Sequence, residues 1–271
     1  MRSLRLHAAG NLLAACALLA LTACSPAKAA APAAPAAAPD PRLARAAAAL
    51  RAALAPVEAA EIEARIAAAP APFLELLGAV ESERTADPAL FLRADKERAL
   101  AADFEPADLA ALDGTGLSLS RAGHRLRRPV VAALLGMDKA AREAGVVLLV
   151  GSAYRSFAYQ KGVFERSVAA EGLAETERSI AAPGRSQHQL GSALDFAPID
   201  ESFAETAASR WLAANAGAFG FSLSYPEGMT ARTGYKWESW HFRYLGKSAA
   251  ALEARYFGGS QQGLLEFLER Y

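Results

Sequence analysis

Cysteine, histidine and net charge are all scarce in this sequence, and each scarcity closes off a class of protein. Only two cysteines occur, Cys16 and Cys24. Cys16 falls in a segment expected to be removed, so the mature chain has no intramolecular disulfide to staple it. Lys+Arg and Asp+Glu are equal at 29 each. There is no basic excess of the kind nucleic-acid binding requires, and no nucleic-acid partner is expected. The apolar run from Leu12 to Leu21 is too short to span a bilayer comfortably. Of four histidines (His7, His124, His188 and His241), His7 also lies in the removable segment, so few imidazoles remain as candidate ligands. Alanine is plentiful, especially in the first hundred residues, so the 53% hydrophobic content overstates the core. The length of 271 residues allows one or two domains.

The N-terminus carries an address. Arg2 and Arg5 give a positive region ahead of the apolar run, which ends in small residues. Leu21-Thr22-Ala23-Cys24 resembles the lipobox of bacterial lipoproteins. The resemblance implies a signal peptide over 1–23, lipidation of Cys24, and attachment to a membrane through acyl chains. The mature protein would then sit in the bacterial cell envelope, on the periplasmic or extracytoplasmic face. Residues 24–41 form an Ala/Pro tether. Its prolines favour extended backbone at about 3.1 Å per residue, a reach of roughly 50 Å. Residues 42–90 read as a helical spacer interrupted at Pro56, and 91–271 as the functional domain.

The domain shows clear periodicities. Val130, Leu134 and Met137 place a helix over 129–144 with Gly145 as its stop. Residues 146–150 suit a buried strand, and Ser156 caps a helix from Phe157 to about Gly172. A strand over 191–197 sets Ala193 and Asp195 opposite Leu194 and Phe196. A helix follows over 203–216. In a last strand over 240–245, His241 and Arg243 alternate with Phe242 and Tyr244. Strands and helices mix without βαβ repetition, which argues for α+β. His124 reads as a surface histidine, and Arg125, Arg127 and Arg128 as a solvated helix entry.

Some of these residues carry chemistry. His188, Asp195 and His241 supply two imidazoles and a carboxylate, a donor set suited to Zn²⁺ with a fourth position left for water. Glu238, three residues before His241, is a candidate general base.

Three ordered segments add to it: Ser152-Ala153-Tyr154-Arg155-Ser156 with Gln160, then 183–196 (PGRSQHQLGSALDF), then 237–244 (WESWHFRY). Together they resemble the VanY-type D-alanyl-D-alanine carboxypeptidases, zinc enzymes that act on peptidoglycan. The resemblance implies a hedgehog/DD-peptidase-like α+β fold, a small central antiparallel sheet flanked by helices and preceded by a helical N-terminal segment. It also implies one zinc per chain held by His188, Asp195 and His241, and stem peptides as substrate. Glu238 would polarise the water and Arg155 would stabilise the oxyanion. Gln160 would hydrogen-bond near the substrate C-terminus. Ser186 would contact that terminus or orient its own loop. Tyr154 and Trp240 would wall the pocket or pack in the core. A monomer is expected.

Ala153, Gln187 and Ser239 depart from the usual glycine, glutamate and proline of these motifs. No proposed ligand or base is lost, and Gln187 removes a charge beside His188 that bears on specificity. The alternatives are an LD-carboxypeptidase, an endopeptidase on cross-links, and a non-catalytic peptidoglycan-binding lipoprotein. A serine hydrolase using Ser186 or Ser152 lacks any nucleophile-elbow pattern.

Overall fold

A computed structural model describes residues 40–271. The expected signal peptide, the Cys24 lipidation site and the tether up to residue 39 lie outside the described residues.

Three helices come first: α1 (Pro41–Ala53), α2 (Pro56–Ala68) and α3 (Pro70–Ala86). The next elements are β1 (Leu109–Ala111), β2 (Ser118–Leu119), β3 (Arg125–Arg127), α4 (Arg128–Glu143) and β4 (Leu149–Ser152). They are followed by α5 (Phe157–Glu171), α6 (Leu173–Ser179), β5 (Ala193–Phe196), α7 (Ala207–Asn215) and β6 (Phe221–Leu223). The chain closes with α8 (Thr230–Thr233), β7 (His241–Tyr244), α9 (Lys247–Tyr256) and α10 (Gln261–Arg270). Five strands form one sheet in the order β2-β4-β5-β7-β6, and β1 pairs separately with β3. From β4 to β6 every neighbour is antiparallel, as expected for the central sheet, while β2 adds a short parallel pairing with β4.

Local chemistry sets the element ends. Asp40 caps α1 by accepting from the Arg42 amide at 2.9 Å. Pro56 and Pro70 open α2 and α3, where a missing N–H is not needed. Gly145, at φ 74°, ends α4, and the Val146 amide donates to the Ala141 carbonyl at 2.8 Å. This Schellman closure uses the backbone of Val146. Strand β4 therefore starts at Leu149, three residues later than its apolar run suggests. The helix expected over 203–216 is shorter, because Glu201–Glu205 forms a 3-10 turn and Thr206 caps α7.

The sheet has two unlike faces. Leu194, Phe196, Phe221 and Phe242 pack with Val130, Leu134 and Met137 of α4 and Leu212 of α7 into one core. The other face presents Asp195, His241 and Arg243, and β6 adds Ser222 opposite Arg243. A second core joins Leu50, Ile62, Phe73, Leu77 and Val80 of the first three helices to Leu252, Tyr256, Leu264 and Phe267 of α9 and α10.

Residues 42–90 are thus helical as expected, but they share their core with the C-terminal helices and do not form a separate spacer. Only Ala46, Ala49 and Ala59 of their alanines are buried, beside Leu50, Ile62, Ile66, Phe73, Leu77 and Val80, while most of the others face solvent. Polar ties reinforce the packing. The Tyr256 hydroxyl donates to the Ala69 carbonyl at 3.0 Å, and the Arg65 guanidinium donates to the Tyr256 carbonyl at 2.8 Å. Glu83 of α3 accepts from the Ser248 hydroxyl at 2.8 Å, placing a carboxylate at the positive N-terminus of α9. Arg243, fully buried, donates to the Leu90 and Leu92 carbonyls at 2.8 and 2.6 Å.

Two further readings are corrected by burial. His124 is 2% exposed rather than a surface residue. Arg127 is not a solvated entry residue: it pairs with Asp87 and Asp108, each at 2.8 Å.

A chain cut to residues 92–271 should lose cooperative thermal unfolding, since the apolar faces of α9 and α10 would meet water. Leu77→Ala in the intact chain should cost about 2–5 kcal/mol in denaturant unfolding. A truncated protein that melts like the full chain would show that the first three helices are dispensable.

Candidate active site

The strand register brings the first two candidate ligands together. Asp195 on β5 and His241 on β7 are directly paired across the antiparallel ladder, so their side chains leave the same face as neighbours. The third comes from a tight turn. Ser186 accepts from the His188 amide at 3.3 Å and starts a 3-10 turn over Gln187–Leu190. Gly191 then reverses the chain at φ 66°. A Cβ there would meet Leu109 Cδ2 at 2.9 Å and Arg127 Cγ at 3.0 Å, so both the conformation and the close approach require glycine.

The segment after β4 grips His188 from both sides. His188 Nδ1 lies 2.7 Å from the Ala153 carbonyl, and the Arg155 amide donates to the His188 carbonyl at 3.3 Å. Because Nδ1 must carry the proton for the first of these bonds, Nε2 presents a lone pair. That lone pair faces Asp195 Oδ2 at 3.1 Å, yet Nε2 has no hydrogen-bond partner. His241 shows the mirror arrangement. Its Nε2 donates to Gln187 Oε1 at 3.2 Å, so Nδ1 is the unprotonated nitrogen, 2.9 Å from Asp195 Oδ1 and 3.5 Å from Glu238 Oε2. Two nitrogen lone pairs and the Asp195 carboxylate therefore face one another with no proton between them, beside the Glu238 carboxyl. Such a set is mutually repulsive and a cation relieves it, so the residues fit a metal ion. Among the described residues His188, Asp195 and His241 form a group able to hold one, with ligand atoms within 4.8 Å of one another.

Electrostatics agree with that chemistry. Burial, aided by the Arg155 cation, depresses His188 to about 4 against the pull of Asp195, so it is a neutral ligand across the physiological range. Burial and the neighbouring Asp195 push Glu238 well above the usual carboxylate range, opposed by Arg155. A divalent ion beside Glu238 acts in the same sense as Arg155 and favours its ionised, proton-accepting form.

These groups open on a cleft of about 300 Å³. Of the anticipated residues, Arg155, Gln160, Ser186, Glu238 and Trp240 line it with the three ligands. Arg155 Nη2 is 3.6 Å from Asp195 Oδ2, and its buried Nε has no partner. Gln160 is 1% exposed; its amide nitrogen donates to the Ala181 carbonyl at 2.6 Å, leaving Oε1 unpartnered at the cleft. Tyr154 does not line the cleft, because its ring turns away toward the guanidinium of Arg125, 5.1 Å from the ring centre.

Other wall residues escaped the sequence reading. Tyr225 packs 4.9 Å from the His241 ring, and Tyr235, Ile199 and Trp237 complete the walls. Trp237 opens the last motif and Ile199 follows the second one closely, but neither carried a sign that it would face the cleft. Gln187 is 4% exposed and lies behind His241, away from the cleft, so its expected influence on neighbouring substrate groups does not hold.

A buried His-Asp-His centre with an acid and a guanidinium at the mouth of a cleft defines a metal-dependent hydrolase site. Comparison with known proteins narrows this. The VanY family, described as D-alanyl-D-alanine carboxypeptidase, matches residues 123–247. The putative carboxypeptidase YodJ of Bacillus subtilis (strain 168) is 35% identical over 163 residues, covering 58% of this chain and 60% of that protein. The LdcB LD-carboxypeptidase structure superposes with a TM-score of 0.58 at 32% identity, covering 65% of this chain and 84% of that one. The D,D-pentapeptidase VanY from a VanB-type resistance cassette, solved with Zn(II), gives 0.54 at 30% identity, covering 66% and 99%. The chain belongs to the VanY D-alanyl-D-alanine carboxypeptidase family. It spans less than two thirds of the length of the B. subtilis relative.

Purified protein should carry close to one zinc per chain, and His188→Ala should lower the content at least tenfold under chelator competition. Equal retention of zinc by the variant would remove His188 from the ligand set.

Proposed function

We propose that this chain is a zinc carboxypeptidase that hydrolyses the peptide bond before a C-terminal D-alanine in peptidoglycan stem peptides. The observation that carries the reading is the convergence of His188 Nε2, Asp195 and His241 Nδ1 on one point, with Glu238 Oε2 3.5 Å from His241 Nδ1. Membership of the VanY family supports the substrate class.

When bound, zinc supplies Lewis-acid polarisation and lowers the pKa of water to about 7. Glu238 accepts the proton of the attacking water and delivers it to the leaving amine. The Arg155 guanidinium faces the scissile carbonyl, where a fixed cation in a poorly hydrated cleft counts most as negative charge develops. The unpartnered Gln160 Oε1 accepts from a substrate N–H near its C-terminus, and its amide nitrogen is already held by Ala181. Ser186 reaches the terminal carboxylate, and Trp240 closes the wall beside the small D-alanyl methyl group. Tyr154 acts from behind by packing under Arg125 rather than by touching substrate.

A second reading, an LD-carboxypeptidase that removes D-alanine from tetrapeptide stems, is favoured by the likeness to LdcB. Defined tripeptide, tetrapeptide and pentapeptide stems, with and without chelator, separate the two. Loss of one alanine from pentapeptide alone supports the first reading, and loss from tetrapeptide supports the second. Glu238→Gln should lower kcat by a factor of 1,000 or more while zinc stays bound. A near-normal rate would take Glu238 out of the mechanism.

The same reading places the protein in the cell envelope as a monomer, lipid-anchored at Cys24 after loss of residues 1–23. It treats 24–39 as the tether, since Asp40 and Pro41 already cap and open α1, and 91–271 as the catalytic region, with the first three helices completing its core. The lipobox-like Leu21-Thr22-Ala23-Cys24 supports the anchor. Cys24→Ser should shift the protein from the membrane to the soluble fraction. Continued membrane association would argue against lipidation.

A further inference from the structure

Behind His241, on the side away from the cleft, lies a run of buried polar side chains that neither the substrate cleft nor the ligand set accounts for. It begins where His241 Nε2 donates to Gln187 Oε1 at 3.2 Å. Gln187 Nε2 donates to Gln261 Oε1 at 3.3 Å, and Gln261 Nε2 to Ser222 Oγ at 3.1 Å. Ser222 Oγ in turn donates to Glu253 Oε1 at 2.8 Å. Ser224 Oγ braces the middle, donating to Gln187 Oε1 at 2.7 Å. All five are at most 6% exposed.

Every bond in the main run points the same way, with each amide or hydroxyl accepting from the side nearer the metal centre and donating to the side farther from it. The run ends on a carboxyl group of α9, after crossing the first residue of α10. Chains of this kind polarise cooperatively, and in a dry site each link is costly to break. An apolar side chain would fill the same space without the desolvation cost of four amide and hydroxyl groups. Packing therefore does not explain their presence.

The geometry points to Gln187 as a positioning residue for the metal centre. It fixes His241 as the Nε2–H tautomer, so that the Nδ1 lone pair faces Asp195 and the ion, and it is itself fixed by Gln261 and Ser224. The inference rests on the reading of His241 as a ligand and extends it. The catalytic sheet and the C-terminal helices would be linked by a hydrogen-bonded train that sets the orientation and basicity of one ligand. Partners of this kind are worth about 10–100-fold in metal affinity. The departure at position 187 gains a role here. A glutamine can accept from His241 and also donate to Gln261, whereas a glutamate can only accept.

The test uses the full chain. In the metal-free protein, ¹⁵N shifts of the His241 ring should report protonation at Nε2; a predominant Nδ1–H tautomer would overturn the inference. Gln187→Met keeps the volume and removes the acceptor. It should weaken zinc binding tenfold or more in chelator competition, change the visible spectrum of the Co(II)-loaded protein, and let the Nδ1–H tautomer appear. Gln187→Glu restores an acceptor and should return the tautomer and most of the affinity. Gln187→Met with an unchanged tautomer and zinc affinity within threefold of the parent would sink the idea. Should that variant not fold, the parent ¹⁵N spectrum decides the matter, since a predominant Nδ1–H tautomer of His241 overturns the inference without any substitution. The underlying reading fails in a different way: if His241→Ala retains parental zinc affinity, His241 is not a ligand at all, whatever its tautomer.

Discussion

Lone pairs that face one another without a proton are the constraint around which the molecule is arranged. Each participant could relieve the repulsion by turning away, and each is prevented from doing so. His188 is held by the Ala153 carbonyl, His241 by Gln187, and Asp195 by its place in the ladder opposite His241. These restraints come from three separate parts of the chain: the segment after β4, the glycine-reversed 3-10 turn, and the β5–β7 pair. The centre is therefore a product of the whole sheet rather than of any single motif.

The two faces of that sheet divide the work. One face is apolar and sits on α4 and α7, which fixes the register of β5 and β7, because a slip of one residue would drive Asp195 and His241 into a hydrocarbon core. The other face is polar and backs onto α9 and α10, which in turn need the first three helices to cover their outer sides. The alanine-rich N-terminal helices do not line the cleft and still bear on it. They hold the helices that hold the polar side chains behind the metal site.

The chemistry was readable from the sequence because its carriers cluster in short, ordered motifs whose alternation is that of strands. Asp195 and His241 fell on predicted polar faces, and Ser156 and Gly145 marked helix ends that the structure bears out. What escaped notice depended on partners distant in sequence. Nothing local says that Gln261 meets Gln187, 74 residues away, or that Ala46, Ala49 and Ala59 share a core with the C-terminal helices. Tyr154 was misplaced for a related reason: adjacency to Arg155 in sequence does not decide which side of the backbone a ring takes, and Arg125 across the pairing drew it away. The arginines before α4 looked solvated because Asp87 and Asp108, which neutralise Arg127, lie 40 and 19 residues upstream.

The rigidity of this centre has a consequence for how the ion comes and goes. In small zinc modules the metal nucleates the fold, so removing it unravels the chain. Here two hydrocarbon cores and a five-stranded sheet already hold the donors in position, so loading resembles seating an ion in a finished socket. Stripping the ion would leave a folded shell that is somewhat less stable, because the crowded lone pairs regain their mutual repulsion. Such a protein can lose its ion in metal-poor surroundings and take it up again without having to refold.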